Sequence, residues 1–197
     1  MCLASALLLA VATAACGDDN RTNADIAVDE GQGRGEDLAA QANLEFADDL
    51  ASTIIAKSGA IALAIDEGVI EQADLLLQLG ATPAVIQYAE DMLAEHSDHL
   101  VATLDLLDTY DLVPIDNPIA ATIRTHVVTG LRQIESSSDV DLQYMLTQVS
   151  IHQEAFIVVA ELFDLAPDDV TAVFFSDMQV MLLEHRTNAE LLARGLE

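Results

Sequence analysis

Apolar residues recur at intervals of three and four along the chain from about residue 44 onward. In the stretch from Phe46 to Leu79 they fall at Leu50, Ile54, Ile61, Ile65, Val69 and Leu76. This spacing places them on one side of an α-helix. The sequence contains no run of alternating polar and apolar residues typical of a half-buried strand, no hairpin-turn signal and no repeat of solenoid length. The pattern therefore predicts one all-α domain over residues 44–197.

Short polar breaks divide this domain into four long helices and one shorter helix. Gly80 is placed to end a helix, and Thr82 and Asn117, each followed by proline, are placed to begin one. The predicted helices cover about 46–79, 83–110, 118–135, 140–165 and the region from Ala166–Asp169 to about 194. Because short connections favour antiparallel neighbours, we expect an antiparallel four-helix bundle. The shorter third helix would supply its crossover.

The first 43 residues differ from the rest. Residues 1–15 contain an apolar segment that is too short to span a bilayer but is typical of a signal peptide. Small residues before Cys16 resemble the bacterial lipobox, in which that cysteine is lipidated, although Thr13 stands where leucine is usual. Residues 16–43 are acidic, contain glycine and show no apolar periodicity, which indicates a flexible tether. We therefore expect export to the periplasm or outer membrane of a bacterium, with a lipid anchor as the contact with the membrane.

Composition excludes several function classes. With 34 acidic and 7 basic residues the net charge is −27, and such a surface repels nucleic-acid phosphates. Cys2 would be lost with the signal peptide and Cys16 would be the anchor, so no thiol remains for disulfide, thiolate–metal or nucleophile chemistry. Phosphate-binding loops, G-x-S-x-G and H-E-x-x-H are missing. The sequence predicts no catalytic residue and identifies no protein partner.

Three histidines lie inside predicted long helices, each with a methionine on its own helical face. The pairs are Met92 with His96, Met145 with His152, and Met181 with His185. Residues four or seven apart share a face of a helix. If the faces converge, imidazole nitrogens and thioether sulfurs form a transition-metal site, for copper or zinc. The competing interpretation is packed, hydrogen-bonded histidines with methionines as core filler.

Two further histidines and two glutamates are other possible ligands of this site. His99 and His126 are expected at the surface. A carboxylate-bridged di-iron centre needs glutamate three residues before histidine on two helices. Those positions hold Leu93, Val149 and Leu182. Glu67 and Glu71 offer oxygen ligands, but the apolar spacing does not force them inward. Only a degenerate di-iron site is compatible with this pattern.

Three sequence patches carry a resemblance to a known family. They are YAEDMLAEHSDHL, DLQYMLTQVSIHQ and MLLEHRTNAEL, and with their helices they cover about Ala51 to Leu192. In order and spacing they resemble the domain of unknown function 4142 family of exported bacterial proteins. The resemblance implies a ferritin-like four-helix bundle, export and no established activity, with His96, His152 and His185 as the typical histidines. The strongly acidic surface departs from that family.

Three functional hypotheses follow. The leading one is an exported, lipid-anchored, ferritin-like bundle with a binding or structural role in the cell envelope. The second is a metal-binding bundle, and the third a degenerate di-iron enzyme. Distances between the imidazoles discriminate between them, because a metal site requires nitrogens within roughly 4–5 Å of a common point.

Overall fold

The computed structural model describes residues 21–47 and 49–197. This part of the chain contains six helices and no strand. They are α1 (Asn23–Phe46), α2 (Ala51–Leu79), α3 (Pro83–Thr109), α4 (Pro118–Ser136), α5 (Val140–Asp164) and α6 (Asp169–Leu196). None of them combines the length and hydrophobicity needed to cross a membrane. The predicted signal peptide over residues 1–15 and the predicted lipidation site Cys16 lie outside the described residues.

The five helices expected from the apolar pattern correspond to α2–α6, and the all-α prediction is confirmed for the described residues. Gly80 follows α2 with a φ of 80°, a conformation that glycine adopts without strain. The side chains of Asn117, Asp139 and Asp168 accept hydrogen bonds from the first backbone N–H groups of α4, α5 and α6. Thr82 occupies the N-cap position of α3 but makes no side-chain capping bond.

The prediction of a flexible tether over residues 16–43 is wrong for the part that the structure describes. Helix α1 covers Asn23–Phe46, so the helical domain begins well before residue 44. Its buried residues lie along one face, at spacings of three or four apart from the adjacent Leu38 and Ala39: Ala24, Ala27, Gly31, Gly35, Leu38, Ala39, Ala42 and Phe46. Most are alanine or glycine, which explains why the stripe resembles a linker. A Cβ on Gly35 would lie 2.9 Å from the carbonyl oxygen of Glu154, so glycine lets α1 pack directly on α5.

The helices pack around one interior. α5 contacts α6 and α1 most extensively, and α2 contacts α3 and α4. The buried apolar residues form two clusters, one containing Val69 and Val149 and the other Ile65 and Val158. Between them along the helices lies a layer of buried polar side chains, one from each of α2, α3, α5 and α6. These are Asp66, His96, His152 and His185.

Candidate metal centre

The structure brings together the three histidines that the sequence singled out. Nε2 of His96 lies 3.2 Å from Nδ1 of His185 and 3.3 Å from Nε2 of His152. One nitrogen from each ring lies within 4.8 Å of the other two, so the cluster could hold a metal ion. The relative exposure is 0 % for His96 and His152 and 4 % for His185. The cluster is therefore almost completely shielded from water.

In each ring the other nitrogen, called the outer nitrogen below, faces away from the cluster and contacts an oxygen atom. His96 Nδ1 contacts Oδ1 of Asp66, His152 Nδ1 contacts the backbone oxygen of Gln148, and His185 Nε2 contacts Oε2 of Glu95, all at 2.8 Å. Carboxylate and carbonyl oxygens accept hydrogen bonds, so the outer nitrogens carry the hydrogens. A neutral imidazole then has only a lone pair on its other nitrogen. Three lone pairs converge in the middle of the cluster, where a cation would stabilise them.

The spacing of the inner nitrogens fits a metal ion. Zinc–imidazole bonds of about 2.0–2.1 Å at the tetrahedral angle place two ligand nitrogens about 3.3–3.4 Å apart. The two contacts made by His96, at 3.2 and 3.3 Å, are close to this value. In a hydrogen-bonded pair of neutral rings, one of the two nitrogens would have to carry a hydrogen. The outer hydrogen bonds already occupy the hydrogen of each neutral ring.

Electrostatics keep two of the rings in the form that binds metals. Burial lowers the pKa of His152 well below its usual value, and the neighbouring rings of His185 and His96 lower it further. Burial and His96 also lower the pKa of His185, although Glu95 opposes this shift. Both rings are therefore neutral at neutral pH, as metal binding requires. Asp66, which is 0 % exposed, places a carboxylate beside the cluster.

Asp66 also binds a fourth histidine. Its second oxygen lies 2.8 Å from Nδ1 of His99, whose side chain is 12 % exposed and packs against Phe174. Among the described residues, Nε2 of His99 has no hydrogen-bond partner. His126 lies elsewhere, with Nδ1 2.7 Å from Oε1 of Glu154 and a side chain that is 28 % exposed. Both side chains are partly exposed at the surface, and each contacts a buried carboxylate.

The methionines proposed as soft ligands lie in the apolar clusters that flank the polar layer. Met92 and Met145 are buried in the cluster that contains Val69. Met181 is partly buried against the other cluster. This is the placement of core residues, and ligation by their sulfurs stays a prediction.

The carboxylates that contact the rings differ from those that the sequence offers as oxygen ligands. Glu67 and Glu71 are exposed, and the buried carboxylate is Asp66. The spacing along the chain marks Asp66 as buried, because it follows Ala62 by four residues and precedes Val69 by three, on the apolar face of α2. Glu95 could not be found in this way, since its contact with His185 depends on how α3 and α6 are placed in space.

Comparisons with known proteins identify no relative. No family model matches the chain, and neither a curated protein nor a solved structure matches it. The resemblance to the domain of unknown function 4142 family therefore stays a prediction. Function has to be argued from the geometry of the site.

Proposed function

We propose that this protein binds one transition-metal dication, of which Zn²⁺ fits best, inside a ferritin-like four-helix bundle formed by α2, α3, α5 and α6. Metal sites in such bundles are built from inward-facing side chains of opposite helices. The polar layer follows this plan, because each of the four helices contributes one buried polar side chain to it. Helix α4 is the crossover between the two helical pairs, and α1 is an added outer helix.

One observation carries the proposal. In the neutral form of each ring the inner nitrogen is left as an acceptor, because all three outer nitrogens face oxygen atoms. Metal-binding histidines in proteins show this arrangement, in which a carboxylate or a backbone carbonyl fixes the ring and raises its basicity. A dication would also offset the negative charges of Asp66 and Glu95.

The ligand set favours a borderline metal. Neutral imidazole suits zinc, copper and nickel, whereas Mg²⁺ and Ca²⁺ require oxygen ligands. Zinc accepts a tetrahedral arrangement without a preference from its d-electrons, and the two nitrogen distances made by His96 fit that geometry. Within the site, His96, His152 and His185 would hold the ion, and Asp66, Glu95 and the backbone of Gln148 would orient the rings.

His96 and His99 provide a matched pair of variants to test this. Both rings are hydrogen-bonded to Asp66, but only His96 belongs to the three-histidine cluster. We expect the metal-free full chain to bind one equivalent of Zn²⁺ in calorimetric titration. We expect His96→Gln to weaken binding on the order of 100-fold or more, and His99→Gln to change it only a few-fold.

Two results would overturn the proposal. One is the lack of saturable Zn²⁺ binding by the wild-type chain. The other is an equal loss of affinity in His96→Gln and His99→Gln, which would indicate that the effect comes from disturbing Asp66. Substitution of Co²⁺ provides an independent reading, since its visible absorption reports tetrahedral coordination by the rings.

Copper remains the second candidate metal, and it rests on Met92, Met145 and Met181. If thioether sulfurs coordinate the ion, Met92→Leu and Met145→Leu should weaken Cu(I) binding and leave Zn²⁺ binding unchanged. Equal Cu(I) affinity in the wild type and these variants would eliminate the thioether ligands. The degenerate di-iron enzyme gains no support, because Leu93, Val149 and Leu182 have apolar side chains and cannot ligate iron.

Export and anchoring are separate proposals. The apolar segment in residues 1–15 and the lipobox-like sequence before Cys16 support delivery to the cell envelope. There the bundle would have its binding or structural role, with the metal ion as its ligand. Metabolic labelling with a radioactive fatty acid tests this: wild-type protein should take up label and Cys16→Ser should not.

A further inference from the structure

A polar cavity lies between α1, α4 and α5, apart from the three-histidine cluster. Its volume is about 230 Å³, and His96, His152 and His185 do not line it. The polar side chains that matter here are Arg34, Gln72, His126, Ser150 and Glu154. Ile26, Ala27, Leu146 and Ile151 form its apolar walls. The metal proposal makes no use of this cavity.

The charged groups of the cavity already satisfy one another. The side chain of Glu154 is 3 % exposed, and its two oxygens face Nε of Arg34 at 2.6 Å and Nδ1 of His126 at 2.7 Å. Arg34 also donates a hydrogen bond to Ser150 Oγ. An anion in the cavity would face the carboxylates of Glu154 and Glu30, and the positive charge of Arg34 is already paired with Glu154. The cavity therefore disfavours an anion, and both oxygens of its buried carboxylate are occupied.

The floor of the cavity holds an amide with an unpaired end. Gln72 is 0 % exposed, and its Oε1 accepts a hydrogen bond of 2.8 Å from Nε2 of Gln148. Nε2 of Gln72 has no partner among the described residues and points toward Gly130, where a Cβ would lie 2.8 Å from it. Turning both amides end for end would leave Oε1 of Gln72 beside Gly130 instead. In either arrangement Gln72 presents a buried polar group that lacks a partner, and such groups are rare unless a ligand or water pairs with them.

We propose that this cavity binds a small, uncharged carboxamide, whose amide group pairs with Gln72 and whose apolar part lies against Ile26, Ala27, Leu146 and Ile151. An amide carries both a donor and an acceptor, so it complements either orientation of Gln72. A protein cavity of about 150 Å³ holds benzene. A cavity of 230 Å³ therefore has room for an aromatic ring with one amide group attached.

Benzamide is the probe for this test, with toluene and benzoate as matched compounds that lack the amide or carry a charge. The full chain is titrated and followed by amide proton–nitrogen NMR. We expect benzamide to shift the signals of Gly130, Thr147 and Ser150 saturably, and toluene and benzoate to bind at least tenfold more weakly. Ala27→Leu, which fills the cavity, should remove the saturable shifts, and His96→Gln should retain them.

Thr129→Phe is the second cavity-filling variant, at an exposed position that lines the cavity, in case Ala27→Leu fails to fold. Circular dichroism establishes that each variant is helical. The proposal is overturned if benzamide gives no saturable shift, which would mean that water alone occupies the cavity. It is also overturned if toluene or benzoate binds as well as benzamide, or if binding persists in a folded variant with the cavity filled.

Discussion

Two groups of histidine and carboxylate in this protein show opposite ways of arranging polar atoms at a buried carboxylate. Around Glu154, each carboxylate oxygen faces a nitrogen of Arg34 or His126. In the cluster of His96, His152 and His185, the oxygens lie outside and the nitrogens face one another. The first arrangement pairs its own charges. The second leaves its inner nitrogens facing one another, and this is why we propose that it binds a metal ion.

The largest expected effect is stabilisation by metal. A ligand that binds only the folded state at about 1,000 times its Kd stabilises it by about 4 kcal/mol. Saturating Zn²⁺ should therefore raise the free energy of unfolding of the wild-type chain by about this amount, measured by denaturation with and without a chelator. His152→Gln should lose the effect and His126→Gln should keep it. A full effect in His152→Gln would make the two histidine groups equivalent and remove the basis of the comparison.

The pH dependence of the metal-free protein separates the two groups next. The pKa values of His152 and His185 are lowered in the folded state, so below pH ~6.5 the unfolded chain binds protons that the folded chain excludes. Each such ring should therefore reduce the free energy of unfolding by about 1.4 kcal/mol per pH unit as the pH falls through that range. Equilibrium denaturation between pH 7 and 5 measures this slope.

His152→Gln supplies the control, because it removes one titrating ring from the cluster. Its slope should be shallower than that of the wild type. Added Zn²⁺ should leave the dependence of the wild type at least as steep, because the bound ion keeps the rings unprotonated in the folded state while the unfolded chain still binds protons. An unchanged slope in His152→Gln would show that the acid sensitivity comes from the many carboxylates of this chain.

A substitution at Glu154 tests the group that this carboxylate forms with Arg34 and His126. Glu154→Gln removes the charge shared by Arg34 and His126 but keeps the side chain's size. Because Glu154 is 3 % exposed while Arg34 is 36 % exposed, the partners regain water in part. We expect a loss of about 1–3 kcal/mol in the free energy of unfolding and no change in Zn²⁺ affinity. Denaturation and calorimetry on the same preparation measure both quantities, and a large loss of Zn²⁺ affinity would contradict the separation of the two groups.

The features that the sequence predicted depend on residues close together in the chain, whereas the features that it did not predict depend on packing between helices. Helix ends were predictable because Gly80, Asn117 and Pro118 act on the backbone next to them. The convergence of the histidines followed from helical periodicity, since each lies on an apolar stripe. Helix α1 was missed because its buried stripe consists mostly of alanine and glycine, and its packing becomes evident only against α5.

The oxygen atoms that contact the outer nitrogens of the rings were harder to predict than the rings themselves. Asp66 could have been found as a charged residue on the buried face of α2. The backbone oxygen of Gln148 and the carboxylate of Glu95 leave no mark in the hydrophobic pattern. Which nitrogen of a ring faces inward depends on side-chain torsions and on the relative positions of three helices. Hydrophobic periodicity contains neither kind of information.

The smallest expected effect distinguishes the two carboxylates that contact rings of the proposed metal site. Asp66 and Glu95 each contact an outer nitrogen at 2.8 Å, but Asp66 is 0 % exposed and the side chain of Glu95 is 56 % exposed. Water can replace Glu95 and cannot reach Asp66. Asp66→Asn should therefore weaken Zn²⁺ binding about 10- to 100-fold, and Glu95→Gln by roughly threefold or less. Equal losses in the two variants, measured by competition with a chromophoric chelator, would mean that burial does not govern how strongly the outer shell supports the metal.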